Sequence, residues 1–319
     1  MKTDLINAGA LFLALLLAAV GAVWQGGGAV ETVAVVALEE QILVSVDELA
    51  DARGVVVPTG HYQRIVSLNT VADHLLLDLV APERLVGVTG YTIDGHVDAW
   101  RFGDRAAVGR SEDLEKVLSL QPDLVVTSQF SDEAYMARLR EQGIHVFDLG
   151  DMRGVESTVG DIWALGSLLK QEARAQRLVA GFRRELSALE LDIGLDERPW
   201  GMYISVLGDS VFGGTTGTGY ADMLHYGGVR DLAAEHGFKE WPRYNPEQLL
   251  EINPSLILTQ EGMGEIICGH SALGLLDACS AEGHVLEMKG EDHLDPGMGL
   301  VDAAAQVRAL VESALGSSR

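Results

Sequence analysis

One short segment, present twice, constrains this chain more than any other feature. Glu115–Val126 reads EKVLSLQPDLVV and Glu247–Leu258 reads EQLLEINPSLIL, and the two align without a gap at an offset of 132 residues. Glu, Leu, Pro and Leu coincide, and most remaining positions pair like with like. In each copy a helical spacing of apolar residues gives way at a proline (Pro122, Pro254) to an unbroken apolar run, the pattern of an amphipathic helix feeding a buried strand. The offset is too wide for a solenoid and predicts two similar lobes. Each lobe then presents an acidic residue, Glu115 or Glu247, near the start of an equivalent helix.

A chain of 319 residues has room for two domains of about 100–150 residues each. Its net charge of −24 repels phosphate backbones and excludes nucleic acid as a partner. The stretch from Leu5 to Val30 holds no charged residue. Its apolar core, Ala8–Val23, is short for a membrane span and suits the h-region of a signal peptide, with Val20 and Ala22 offering a small-residue cleavage site. A retained membrane anchor is the other reading, because Gly26–Val30 prolongs the uncharged run. The only cysteines, Cys268 and Cys279, lie far from this segment and leave it no thiol for a lipid. Ten residues separate them, and in an exported chain they are expected to form a disulfide. The sharper alternative, a metal site using Cys268 and His270, falls short of a recognised zinc spacing.

From Arg64 onward, strand-like runs alternate with helical patterns. Ile65–Leu68, Leu85–Thr89, Leu124–Ser128 and Val146–Leu149 read as strands, with helices over Thr70–Val80 and Ala134–Gln142, the latter stopped by Gly143. Such alternation predicts parallel sheets covered by helices. The rhythm breaks at Val155–Asp192, which contains no proline. A helix over Val155–Leu169 is followed by a long one over about Gln171–Leu191, whose stripe of Leu178, Phe182, Leu186 and Leu189 has helical spacing. After Pro199 the alternation resumes with strands at Tyr203–Leu207, Leu256–Thr259 and Val285–Met288 and a closing helix over Ala303–Leu315. The expected organisation is a leader or anchor (1–30), an extension with a small strand or hairpin (31–60), an N-terminal α/β lobe (61–152), linking helices (153–196) and a C-terminal α/β lobe (197–319).

RIVSLN, LVGVTGY, LEKVLSLQPDLVV, the long helix and WPRYNPEQLLEINPSLIL, in that order, resemble the substrate-binding proteins of ABC importers for vitamin B12, ferric siderophores and haem. The resemblance runs from about His61 to the C-terminus. It implies the class III periplasmic binding protein fold: two α/β lobes, each with a mainly parallel sheet flanked by helices, joined by one long backbone helix, with the ligand between them. It also implies that Glu115 and Glu247 dock onto the transmembrane subunits of an ABC permease, since family members use one glutamate on each lobe for this. Two separated anionic points fix orientation as well as attraction. Each glutamate also complements the positive end of its own helix, worth roughly 0.3–1 kcal/mol.

Within the family the motifs match the vitamin B12-binding members best, which implies a cleft lined by Tyr91, Phe212 and Trp241, with Trp100 and Tyr220 as weaker additions. Flat aromatic rings suit a corrin or porphyrin face, although any one of them also suits a core position. The expected cargo is a cobalt- or iron-containing chelate, and no resident cofactor or metal is expected. The chain departs from the B12-binding pattern at Gly109, where an aromatic would stand, and in its cysteine positions. A ferric siderophore held by Arg101, Arg105, Arg110 and Arg243 is the main rival. Haem, with an axial ligand from Tyr91, His96 or His225, is another; each of those histidines equally suits a surface or hydrogen-bonding role.

Readings from other classes have less support. The glycine-rich FGGTTGTGY lacks the Lys-Ser/Thr ending of a phosphate loop and does not fit G-x-G-x-x-G, so it reads as a loop before a helix near Ala221. No catalytic serine, cysteine or zinc motif is present, and no enzymatic activity is expected. A membrane-anchored chelate sensor or store would have a retained N-terminal helix and no neighbouring permease. The expectation is therefore an exported, monomeric binding protein.

Overall fold

The computed structural model of the chain describes residues 47–94, 99–109, 114–128, 131–151, 153–190, 194–289 and 297–316. The leader or anchor assigned to residues 1–30 lies outside them. Among the described residues, no helix is long and apolar enough to cross a membrane.

The chain enters through an antiparallel hairpin, β1 (Glu48–Ala50) and β2 (Val56–Pro58), with Leu49 opposite Val57. This is the described part of the small extension expected ahead of the first lobe. The first lobe then runs β3 (Ile65–Ser67), α1 (Thr70–Leu79), β4 (Leu85–Thr89), α2 (Gly90–Ile93), β5 (Ala106–Val108), α3 (Leu114–Ser119), β6 (Leu124–Thr127), α4 (Glu133–Glu141) and β7 (His145–Asp148). Its five strands form one parallel sheet in the order β5-β4-β3-β6-β7. Central β3 and β6 are buried at every residue, as strands covered on both faces must be. Asn69 and Asp132 cap α1 and α4 by accepting from Ala72 N and Tyr135 N.

Two helices, α5 (Val155–Leu168) and α6 (Glu172–Ala188), carry the chain to the second lobe. That lobe runs β8 (Trp200–Leu207), β9 (Ser210–Gly214), α7 (Gly219–Tyr226), β10 (Arg230–Asp231), α8 (Leu232–Glu235), β11 (Arg243–Tyr244), α9 (Pro246–Ile252), β12 (Leu256–Gln260), α10 (Met263–Gly269), β13 (His284–Met288) and α11 (Leu300–Leu315). Its sheet has the order β11-β9-β8-β12-β13, with β10 alongside the start of β8. Strands β8, β12 and β13 are parallel, and β9 is antiparallel to both β8 and β11.

The duplicated segment is the same structure twice. Helix α3 precedes β6, and helix α9 precedes β12; each of these strands lies inside its sheet with parallel neighbours on both sides. Gln121 (φ 49°) and Asn253 (φ 46°) both turn left-handed just before the prolines that stop the helices. The following strands enter alike: His145 N donates to Asp123 O (3.3 Å) and His284 N donates to Ser255 O (2.9 Å).

One apolar layer runs through both lobes. Ile162, Leu165 and Leu168 of α5 and Val179, Phe182 and Leu186 of α6 are buried in the same cluster as Leu75 and Phe147 of the first lobe and Tyr203, Met223 and Val307 of the second. The outer faces of the two sheets bury separate clusters. The long helix therefore joins the lobes by packing as well as by connectivity.

Two parts of the second lobe differ from the sequence expectation. FGG is not loop but the end of strand β9. Glycine is required there because a Cβ at Gly213 would sit 2.5 Å from the Tyr244 ring and one at Gly214 would strike the Tyr220 ring. Short β10 and β11, like β5 in the first lobe, are too brief to show an alternating pattern.

Candidate functional site

The C-terminal ends of parallel strands are where open α/β sheets bind ligands, and Tyr91 stands at one of them. It lies in α2, the single turn that follows β4, and is 45% exposed. Beneath it, the Asp73 carboxylate of α1 is fully buried and its Oδ2 accepts from Thr89 N (3.1 Å), Thr89 Oγ1 (2.6 Å) and Thr92 Oγ1 (2.7 Å). Burial pushes the Asp73 carboxyl up to about 6 despite these bonds. Trp100 belongs to the short 3-10 turn Ala99–Phe102 that packs against α2, and is 80% exposed. The turn is anchored by buried Phe102, set edge-on against His74.

The arginines expected to receive a siderophore are employed differently. Arg105 donates to the carbonyls of Leu85 (3.0 Å), Phe102 (2.5 Å) and Pro82 (2.8 Å), so its guanidinium staples the loop rather than facing a ligand. Arg101 pairs with Asp78 at 3.1 Å. Arg110 and His96 lie outside the described residues. Arg243 is different: its guanidinium lies over the Phe212 ring at 5.2 Å, and it makes no ion pair among the described residues.

Phe212, Arg243 and Trp241 share the β9–β11 edge. Arg243 is directly opposite Phe212. Trp241 is held by bonds on either side of it: Gly213 N donates to Pro242 O (2.9 Å) and Thr215 N donates to Glu240 O (3.1 Å). Glu240 is left-handed (φ 57°), an uncommon state for a non-glycine residue, and it leaves the following Trp241 46% exposed. Tyr220 is placed for packing, stacked on Tyr203 at 4.1 Å with an interplanar angle of 24°, and burial raises its phenol well above the usual value. His225 faces Tyr226 edge-on. The structure thus gathers Phe212, Trp241 and Arg243 on one edge of the second lobe and Tyr91 with Trp100 at the β4 end of the first.

Glu115 and Glu247 are each the second residue of their helices, α3 and α9, and both are exposed. Asn245 and Gln248 form a reciprocal capping box around the start of α9. Cys268 and Cys279 form a disulfide with Cα atoms 5.5 Å apart. His270 Nδ1 faces the amides of Ala272 (3.2 Å) and Leu273 (3.3 Å), so the metal reading of Cys268 with His270 does not hold. Among the described residues no group of three or more His, Cys, Asp or Glu is placed to hold a metal.

Sequence reasoning missed the end of β7. There Asp148, with Arg53 from the β1–β2 turn, Ala52, Leu149, Gly150 and Asp151, lines a cavity of about 330 Å³. Arg53 Nε donates to Asp148 Oδ2 (2.5 Å) and its Nη1 to Glu133 Oε2 (2.9 Å). The signal was local: in DARG, Asp51 accepts from Arg53 N and Val55 N and folds the turn over β7.

Sequence and structure comparisons agree with one another. Residues 65–265 match the family described as periplasmic binding protein. An uncharacterized ABC transporter substrate-binding lipoprotein, YvrC, of Bacillus subtilis is 26% identical over 210 residues, 63% of this chain and 64% of that protein. A cobalamin-binding protein of Halobacterium salinarum is 22% identical over 212 residues, 66% of this chain and 57% of that protein. The chain thus aligns with less than two thirds of the length of each. The periplasmic haem-binding protein RhuT from Roseiflexus sp. RS-1 has the same fold, with a TM-score of 0.65 and 20% identity across 78% of this chain and 98% of that one.

Proposed function

The chain belongs to the periplasmic binding protein family, and from that premise we propose that it captures a metal chelate between its lobes outside the cytoplasm and delivers it to an ABC permease. The preferred cargo is a corrinoid. The observation that carries this choice is the set of exposed rings on both lobes, Tyr91 with Trp100 on one and Trp241 on the other, close in sequence to Arg243, which pairs with Phe212 across the β9–β11 edge. Flat rings presented from two sides bury a tetrapyrrole-like plane at low entropic cost. The family resemblance to vitamin B12-binding members and the cobalamin-binding relative support the same reading.

Glu115 and Glu247 serve as the docking pair. Their helices are equivalent elements of the two lobes, so the two charges offer a permease one anionic point on each lobe. The protein acts as a monomer, and the shared core layer through α5 and α6 limits closure of the lobes.

A ferric siderophore is the second reading, favoured by Arg243, whose cation lies over Phe212 and suits the anionic oxygens of such a chelate. Equilibrium dialysis of the purified chain against cyanocobalamin, haemin and a panel of ferric siderophores separates the readings. Retention of cyanocobalamin alone supports the corrinoid, and retention of a siderophore alone replaces it.

A further inference from the structure

We propose that Asp73 is the positioning residue of the first-lobe ligand surface, holding the α2 turn so that Tyr91 projects from it. This rests on the reading of Tyr91 as a ligand-facing ring.

Asp73 lies in the first turns of α1, at 0% exposure, and is four residues past the cap Asn69. A carboxylate in that position is not needed by α1 itself, because Asn69 already satisfies the Ala72 amide. It is committed instead to a segment 16–19 residues away. Its Oδ2 gathers one amide and two hydroxyls from Thr89 and Thr92, the residues on either side of Gly90-Tyr91. The two hydroxyls also lie 2.9 Å from each other, and Thr92 N donates to Thr89 Oγ1. Both threonines are thereby fixed from below, and Thr92 is wholly buried. Tyr91, between them, is the residue left outward.

The arrangement is costly for stability alone. Oδ1 of Asp73 is buried with no hydrogen-bond partner, since the neighbouring Ser67 hydroxyl donates to Asn69 O. Its hydrogen-bond donors are the neutral Thr89 and Thr92, and no charged side chain offsets its desolvation. A buried acid kept in this state is most readily understood through the segment that it holds. No isolated α2 turn of four residues would persist without such an anchor.

The test compares Asp73→Ala, Asp73→Asn and the unaltered full chain. Without ligand, amide exchange of the peptide spanning residues 85–94 is expected to accelerate about tenfold in Asp73→Ala, with the second lobe unchanged. Asp73→Asn, which retains an acceptor oxygen, is expected to restore most of the protection. Unchanged exchange over 85–94 in a folded Asp73→Ala protein overturns the proposal, as does an acceleration spread evenly over the chain. With cyanocobalamin as probe, Asp73→Ala is expected to weaken binding about tenfold in the presence of Tyr91 and by less than about twofold in a Tyr91→Ala background. Equal losses in both backgrounds overturn it. If the unaltered chain binds none of cyanocobalamin, haemin or the siderophores, the ligand reading fails, and the exchange comparison alone decides whether Asp73 holds the turn.

Discussion

The Asp222 carboxylate of α7, in the second lobe, accepts a hydrogen bond of 2.7 Å from the Val155 amide at the first turn of α5. The linking helix thus takes its N-terminal cap from the other lobe, since Gly154 offers no side chain to cap it. Gly154 is itself left-handed (φ 101°), and a Cβ there would run into the same carboxylate. This contact, with the apolar layer behind it, locks the lobes at their junction.

Replacing Asp222 by Ala is therefore expected to cost about 1 kcal/mol, the usual loss for a helix cap. Gly154→Ala is expected to cost more, about 1–3 kcal/mol, because it adds backbone strain to the clash. Urea denaturation of both variants measures this, and equal stability of Gly154→Ala and the unaltered chain would show that the junction is looser than described.

Charge reversal at Glu115 and Glu247, the proposed docking pair, separates delivery from capture. Glu115→Arg with Glu247→Arg is expected to lower folding stability by about 1–2 kcal/mol, because each exposed side chain loses its favourable interaction with the positive end of its helix. Permease-dependent uptake should fall at least about tenfold while chelate affinity stays within about twofold. A collapse of affinity in this variant would instead assign the glutamates to the ligand surface.

Two buried acids give stability a direction with pH. Burial pushes Asp161 of α5 up to about 7 and Asp73 up to about 6, against an ordinary value of 3.8. Both groups bind protons more tightly in the folded chain, so each contributes a destabilising charge above its folded value that is relieved as pH falls toward the unfolded value. Stability is expected to rise as pH drops from about 8 to about 5, and Asp161→Asn should stabilise the chain at pH 8 by on the order of 2–4 kcal/mol. Thermal unfolding at the two pH values checks the sign; lower stability at pH 5 contradicts it.

The disulfide is tied to α9, the helix that carries Glu247. Asp277 N donates to Asn253 Oδ1 (2.9 Å) and Ala278 N to Pro254 O (2.8 Å), so the loop between Cys268 and Cys279 grips the end of α9. Cys279→Ser is expected to lose about 2–3 kcal/mol of stability. Uptake at low permease concentration is expected to weaken with it, because Glu247 loses a rigid base. Full uptake with lowered stability would confine the disulfide to a structural role.

What the sequence revealed, and what it hid, follows from the range of the interactions. The helix-proline-strand repeat was legible because a left-handed turn before Pro122 and Pro254 and a buried strand after them are local demands on the chain. The linking helices were legible through the stripe of Phe182, Leu186 and their neighbours, and α6 ends at Ala188, three residues before the expected Leu191. Strand β9 was not, because its glycines answer to the rings of Tyr220 and Tyr244 rather than to any local pattern. Arg105 looked like a ligand for an anion only because its three carbonyl partners are set by the loop's fold. The roles of Asp73, Asp148 and Asp222 depend on partners 16 or more residues away, and a chain this acidic gives no reason to single them out.

The most direct measurement is a titration of the purified chain with cyanocobalamin, followed by quenching of tryptophan fluorescence, beside the same titration of Trp241→Ala. Saturable one-to-one binding with a Kd of about 1 μM or tighter is predicted, weakened at least about tenfold by Trp241→Ala with stability unchanged, since the ring is half exposed. Absence of saturation at about 100 μM in the unaltered chain, or equal affinity in Trp241→Ala, would contradict the account of a corrinoid held between aromatic surfaces on the two lobes.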